Sequence, residues 1–301
     1  MSSLPLVDTH VHFWDPQRLR YSWLHGHALL NRRYDAGDYS TQGASVRTEA
    51  CVFIECDADP GQSLEEIKFV EEQAQLDPRV RAIVAHAPLE LGSAIEPLLE
   101  ESVRCSSKLR GIRRILQAEI DLRSLLANSR FIDGVRLLRK FDLHFEITVT
   151  HRQMDCVVEF VRGLPEIPMV LDHCGKPGIR HGLLDAFKRH VGELARHPNI
   201  HCKLSGLVTE AEHGSWTEAQ LFPYIDTALQ AFGPDRLLYG SDWPVCLQAT
   251  SLPRWIDVLE RALAGCSQQE LRKIFRDNAN ALYRLGLPEK AGRPEALSKD
   301  A

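Results

Sequence analysis

The sequence lacks the signatures of several broad classes of protein. Its eight cysteines are scattered without a C-x-x-C pair, so we expect buried thiols rather than a disulfide framework or a four-cysteine zinc site. No apolar run approaches the roughly 20 residues of a membrane span, and the net charge of -5 gives no basic surface for nucleic acid. The opening MSSLPLVDTH also lacks the basic and apolar regions of a signal peptide. We therefore expect a cytoplasmic protein that acts on a small molecule, without a membrane or nucleic-acid partner.

Three motifs of other enzyme classes are absent as well. The chain contains neither the G-x-S-x-G turn of a serine hydrolase nor the G-x-x-x-x-G-K-[ST] loop that binds nucleotide phosphates. No G-x-G-x-x-G follows the first apolar run, which argues against an open, doubly wound sheet that binds a dinucleotide.

What the sequence does contain is a regular alternation of strand-like and helix-like segments. The strand-like runs are LPLVDTHV, EACVFIEC, RVRAIVAHA, LRGIRRIL, LHFEITVT, PMVLDHC, NIHCKLSG and DRLLYGSD. Helical periodicity predicts helices over 62–76, 94–105, 131–140, 154–162, 183–196, 217–231 and 253–264. This order favours a parallel sheet closed into an α/β, (β/α)8 TIM barrel.

No linker or composition shift divides the chain, so we predict one barrel domain over 1–287 and a polar, flexible tail over 288–301. The segment 13–41 is longer than most βα loops and is rich in aromatic and basic residues. We predict that this segment covers the substrate. Oligomeric state cannot be predicted from these features.

Two histidines close the first apolar run. Because side chains two apart on a strand face the same way, His10 and His12 both point into the barrel mouth. A pair of imidazoles there suits a divalent metal ion, and without one it can polarise a carbonyl group. A bare H-x-H is a weak signal in a chain with 13 histidines.

Two further candidates end later strands on the same catalytic face. Asp242 lies where the last apolar run breaks into a turn, and a carboxylate there can hold a water and accept its proton. The alternative for Asp242 is a helix cap or a turn residue. His173 follows Asp172 at the end of the PMVL run.

The run LRGIRRIL carries Arg113 and Arg114, of which alternation sends one into the barrel to bind an oxygen of the substrate or to form a structural ion pair. Weaker candidates, for which a structural role is the simpler interpretation, are Glu55, His86, Lys203 and Ser205. Core packing is the default for aromatic side chains, but some could stack on a ring-shaped substrate: Trp14, Trp23, Tyr34 and Trp243.

Taken together, VDTHVHFWDP, GIRRILQ, LDHCGKP, NIHCKLSGLVTEA, DRLLYGSDWPV and RDNANALYRL resemble the amidohydrolase superfamily, in particular its lactonase branch. The resemblance spans nearly the whole chain. It implies a distorted barrel with Asp242 activating water, with His10, His12 and His173 completing the catalytic group, and with Arg113 binding substrate. Members of that branch open lactones of sugar acids, such as fuconolactone and rhamnonolactone types, or pyrone dicarboxylates.

The metal content is left open by the resemblance. One divalent ion, most simply zinc, would have His10, His12, His173 and Asp242 as ligands, and metal-independent activity is the alternative. The fifth run, FEITVTH, has no carboxylated lysine, and His151 lies past the strand, so a binuclear centre is not expected. A decarboxylase of the same superfamily and a non-catalytic binding barrel are the rival interpretations. The resemblance implies a further histidine ligand on the fifth strand for such a decarboxylase, and its apparent absence here favours the lactonase.

Overall fold

The computed structural model describes residues 5–288 and has the architecture of a (β/α)8 barrel, which confirms the predicted fold class. The strands pair in parallel, in chain order: β1 Leu6–Val11, β2 Thr48–Ile54, β3 Val80–His86, β4 Leu109–Ile115, β5 His144–Thr148, β6 Met169–Leu171, β7 Ile200–Leu204 and β8 Leu237–Tyr239. Each lies within one of the predicted runs or starts one residue before it. The predicted tail, apart from Pro288, lies outside the described residues.

Helices pack around the strands. They are α1 Ala36–Gln42, α2 Ser63–Leu76, α3 Glu96–Cys105, α4 Leu122–Ala127, α5 Ser129–Leu137, α6 Met154–Val161, α7 Leu184–Leu194, α8 Glu218–Phe232, α9 Leu252–Ala262, α10 Gln268–Arg272 and α11 Asn278–Leu282. A π-helical turn, Lys273–Asp277, joins α10 to α11. None of the helices in residues 5–288 combines the length and apolar character that crossing a membrane would require.

Two short helices, α1 and α4, do not follow from the apolar periodicity. Each begins at an aspartate that caps it: Asp35 accepts a hydrogen bond from the Asp38 amide at 2.9 Å, and Asp121 accepts one from the Ser124 amide at 3.1 Å. Such a cap satisfies a backbone N–H that has no partner inside the helix. Helix α1 therefore forms inside the segment 13–41, where no helix was predicted.

The sheet closes where β1 meets the residues that follow β8. The His12 amide donates to the Trp243 carbonyl at 2.8 Å, and the Asp242 amide donates to the His10 carbonyl at 2.9 Å. These backbone bonds bring the first and last strands side by side at their carboxyl ends. The face of the barrel on which the candidate residues were predicted is therefore built by direct pairing of their own backbones.

The segment 13–41 folds over this face. The Trp14 amide donates to the Tyr34 carbonyl and the Tyr34 amide returns the bond to Trp14, each at 2.9 Å. The indole of Trp14 packs edge-on against Tyr34, with ring centroids 5.5 Å apart. These contacts hold the start of the segment, at Trp14, against Tyr34.

Candidate active site

Three imidazoles and one carboxylate converge at the carboxyl ends of the strands. His10 lies on β1, His12 follows β1 directly, His173 follows β6, and Asp242 follows β8. The Asp242 Oδ1 atom lies 3.5 Å from Nε2 of His12, 3.7 Å from Nε2 of His10 and 4.0 Å from Nε2 of His173. The structure thus brings together the four residues to which the sequence points for catalysis.

The backbone at this end of the barrel is unusual. His173 and Asp242 have left-handed φ values of 53° and 60°, a conformation that non-glycine residues adopt rarely and mostly where function requires it. Gly206 makes the position of His173 possible, because a Cβ atom on residue 206 would lie 2.6 Å from the His173 Nδ1 atom. The left-handed backbone at these two residues directs their side chains toward the cavity.

The hydrogen bond of His12 Nδ1 determines whether His12 Nε2 carries a proton or a lone pair. His12 Nδ1 lies 2.8 Å from the Ile54 carbonyl oxygen. Since a carbonyl oxygen only accepts, Nδ1 carries the proton of the neutral ring, and Nε2 presents a lone pair toward Asp242. His173 is oriented in a similar way, with Nδ1 2.8 Å from the Ser205 hydroxyl.

His10 lies between two cationic side chains. Its Nδ1 is 3.3 Å from Lys203 Nζ, and its Nε2 is 3.3 Å from Nη1 of Arg113. Burial lowers the pKa of His10 well below its ordinary range; Asp172 opposes this shift, and Lys203 adds to it. His10 is therefore a neutral imidazole at neutral pH.

Asp242 and His173 also have shifted pKa values. Burial alone would raise the pKa of the Asp242 carboxyl, but the neighbouring His173 and His12 outweigh it, and the pKa lies below its ordinary value of 3.8. Burial lowers the pKa of His173 to about 4. At neutral pH the ionised carboxylate of Asp242 therefore faces an uncharged His173 ring.

Of the two arginines on β4, Arg113 points into the barrel. It is 3% exposed, donates to Glu55 Oε1 at 2.6 Å and lies 3.4 Å from Asp172 Oδ2. Arg114 points outward and pairs with Glu90 and Glu119. Glu55, a weak candidate in the sequence, is thus the ion-pair partner that holds Arg113 in place.

Beneath the imidazoles is a fully buried ionic cluster that we call the Lys203 cluster, formed by Lys203, Glu146 and Asp172. Lys203 Nζ lies 2.5 Å from Glu146 Oε2 and 3.0 Å from Asp172 Oδ1, and all three side chains are 0% exposed. Glu146 was missed in the sequence analysis. Its signal was a charged residue inside the apolar run HFEIT, which is costly to bury unless a partner lies opposite.

A cavity of about 170 Å³ opens above these groups. Its lining includes His12, His173 and Asp242 at the base, Trp14 and Trp23 on one wall, and Lys176 and Gln117 on another. Of the aromatic candidates, Tyr34 and Trp243 are fully buried and pack against each other with ring centroids 5.5 Å apart, and neither is among the residues that line this cavity. The structure therefore gives them a supporting position, whereas Trp14 and Trp23 face the cavity.

Other histidines lie elsewhere. His86 hydrogen-bonds to the Ser63 hydroxyl at 3.0 Å. His151 begins the turn after β5 and packs near His181, with ring centroids 6.3 Å apart. On β5, the positions that reach the barrel interior near His10 are Glu146 and Thr148.

The donor set at the cavity base fits one divalent cation. The lone pair of His12 Nε2 and the Asp242 carboxylate are both acceptors, and they face each other at 3.5 Å, an arrangement that needs a proton or a cation between them. His10, His12 and Asp242 form one group of possible ligand atoms, and His10, Glu146 and Asp172 form a second. The Lys203 ammonium already occupies the second group, so only the first fits a metal ion.

We expect the purified chain to bind about one equivalent of zinc, because imidazole nitrogen and carboxylate oxygen are its usual ligands. Replacing His12 (His12→Gln) removes the lone pair opposite Asp242 and should abolish this binding in calorimetric titration. His86→Gln is the matched control, since His86 also ends a strand on this face but contacts Ser63. Equal zinc affinity in both variants would contradict the assignment.

Comparisons with known proteins agree with this geometry. The family model described as "Amidohydrolase" matches residues 7–285. The L-fucono-1,5-lactonase of Burkholderia multivorans is 33% identical, over 95% of this chain and 97% of the relative. The L-rhamnono-gamma-lactonase of Scheffersomyces stipitis is 25% identical, over 95% of this chain and 100% of the relative. A crystal structure of an amidohydrolase from Burkholderia multivorans with bound zinc has a TM-score of 0.84 and 33% identity, covering 93% of this chain and 99% of that chain.

Proposed function

Because the chain belongs to the amidohydrolase family, we propose that it hydrolyses the ring ester of a lactone, and that the lactone is derived from a sugar acid. The observation that carries the proposal is the convergence of the His10, His12 and His173 imidazoles on the Asp242 carboxylate. The relatives named as fucono- and rhamnono-lactonases support the substrate class.

Asp242 acts on the attacking water. Its lowered pKa keeps it ionised at neutral pH, so it can accept a hydrogen bond from water and take up a proton as the water oxygen bonds to the lactone carbonyl carbon. The same carboxyl then returns that proton to the ring oxygen as the ester bond breaks. An acid with a low pKa gives up its proton readily to the basic alkoxide, so one residue serves both steps.

The carbonyl oxygen gains negative charge as water attacks. Arg113 lines the cavity, and its cationic guanidinium is held by Glu55 and Asp172, so it can stabilise that charge without having to reorganise. When bound at His10, His12, His173 and Asp242, a divalent ion such as zinc would polarise the carbonyl and lower the pKa of water. His173 holds its orientation through Ser205 and keeps the carboxylate in position.

The rival reaction within this family is decarboxylation, for which a further histidine on the fifth strand was expected. The interior positions of β5 near His10 are instead Glu146 and Thr148. The imidazole that β5 does carry, His144, begins the strand at the end away from the cavity and lies 3.0 Å from Glu146 Oε1. This arrangement favours ester hydrolysis, because the cavity offers a water-activating carboxylate and His144 does not line it.

A panel of five- and six-membered sugar-acid lactones, followed with a pH indicator, tests the proposal. We expect acid release above the spontaneous rate for at least one lactone and no carbon dioxide from aromatic carboxylates. The assay is repeated after chelation and after zinc is restored, which separates the metal requirement from the reaction class. Release of carbon dioxide without lactone opening would overturn the proposal.

A further inference from the structure

Asp57 follows β2 at the rim of the cavity and has no role in the chemistry described above. Its φ is 54°, so it shares the left-handed conformation of His173 and Asp242. Its amide donates to Glu55 Oε2 at 2.8 Å, which ties the strained residue to the partner of Arg113. The left-handed backbone of Asp57 therefore lies at the cavity, and its hydrogen bond to Glu55 fixes it there.

The Asp57 carboxylate lines the cavity. The Asp57 side chain is exposed and, within residues 5–288, makes no hydrogen bond or ion pair, whereas the buried carboxylates of Glu55, Glu146 and Asp172 each pair with a cationic side chain. A carboxylate offers only acceptors, in up to four lone-pair directions. Water can donate to these acceptors before a ligand binds, and the hydroxyl groups of a bound molecule could take the place of that water.

We infer that Asp57 recognises the hydroxyl groups of the substrate and makes the site selective for polyhydroxylated lactones over lactones without hydroxyl groups. This inference rests on the proposed function. Two adjacent hydroxyls can donate to the two oxygens of one carboxylate, and hydrogen bonds to a charged acceptor are stronger than those between neutral groups. Asp57 thus acts on substrate specificity, whereas Asp242 acts on the reaction.

The experiment compares two six-membered lactones in wild-type protein and in Asp57→Ala. L-fucono-1,5-lactone carries ring hydroxyls, and δ-valerolactone carries none. We expect Asp57→Ala to lower kcat/KM for the hydroxylated lactone about 10- to 100-fold, mainly through KM, because each lost bond to a charged group has that order of effect. Activity on δ-valerolactone should be unchanged, and Asp57→Asn, which keeps one acceptor oxygen, should fall between.

Asp142→Asn is the matched control. Asp142 also has a left-handed φ, of 55°, but it precedes β5 at the opposite end of the barrel and pairs with Arg284. It should leave both rates unchanged. Equal losses on the two lactones in Asp57→Ala would overturn the inference while leaving the proposed function intact. Failure of the wild-type protein to open any hydroxylated lactone of the panel would overturn both.

Discussion

Asp242→Asn should lose about 10²- to 10⁴-fold in kcat for lactone opening, the usual contribution of a positioned proton acceptor. The amide cannot take the proton of water, although its size and its tolerance of a left-handed backbone match those of aspartate. The Asp242 backbone bond to the His10 carbonyl does not depend on the side chain. Initial rates on the best lactone of the panel, with thermal unfolding measured in parallel, test this expectation.

Asp142→Asn again serves as control, because it makes the same chemical change at a left-handed aspartate far from the cavity. It should retain full activity. If Asp242→Asn kept more than half of the wild-type rate while binding substrate normally, another group would have to be the base, and the mechanism proposed above would be wrong.

Lys203→Met should destabilise the fold by about 3–5 kcal/mol, the usual cost of removing one partner from a buried ion pair. The change leaves the carboxylates of Glu146 and Asp172 in the barrel interior without the ammonium that lies 2.5 and 3.0 Å from them. The midpoint of denaturant unfolding measures the effect. Adding Glu146→Gln to Lys203→Met removes one of the stranded charges and should recover part of the loss.

Lys140→Met provides the comparison at the surface. Lys140 also pairs with a glutamate, Glu96, but the Lys140 side chain is largely exposed to solvent and that of Glu96 is partly exposed, and pairs at the surface contribute little. We expect no change in its unfolding midpoint. A similar loss in the two lysine variants would mean that the Lys203 cluster does not have the stabilising role assigned to it.

The strands could be predicted from the sequence because a parallel barrel buries both faces of each strand, which leaves continuous apolar runs. The residues at which the strands end could not be predicted in this way. β6 and β8 are only three residues long, Met169–Leu171 and Leu237–Tyr239, because the chain turns early into the left-handed positions of His173 and Asp242. These turns position the two side chains at the site, and hydrophobic periodicity does not reveal them.

Most of the candidate site could also be located from the sequence, since alternation places His10 and His12 on one face and strand order places Asp242 beside them. Alternation could not decide between Arg113 and Arg114. That choice depends on the carboxylates of Glu55 and Asp172, which come from other strands. The same kind of long-range pairing explains why Glu146 was missed.

Asp57 was not predicted for a different reason. Nothing in the run EACVFIEC-DADPG distinguishes it from a turn aspartate, because its relevance depends on a left-handed φ and on its exposure to the cavity. Tyr34 and Trp243 illustrate the reverse case. Both are aromatic residues near the site, and only the packing shows that they are buried and do not line the cavity.

A crystal structure of Asp242→Asn soaked with a sugar-acid lactone tests the central claim most directly. We expect the intact ring in the cavity lined by Trp14 and Trp23, with its carbonyl group facing the His10, His12 and His173 imidazoles and residue 242. A ring bound elsewhere, for example in the groove between α4 and α6 that Arg123 and Phe160 line, with the four-residue cluster left without substrate, would contradict the account.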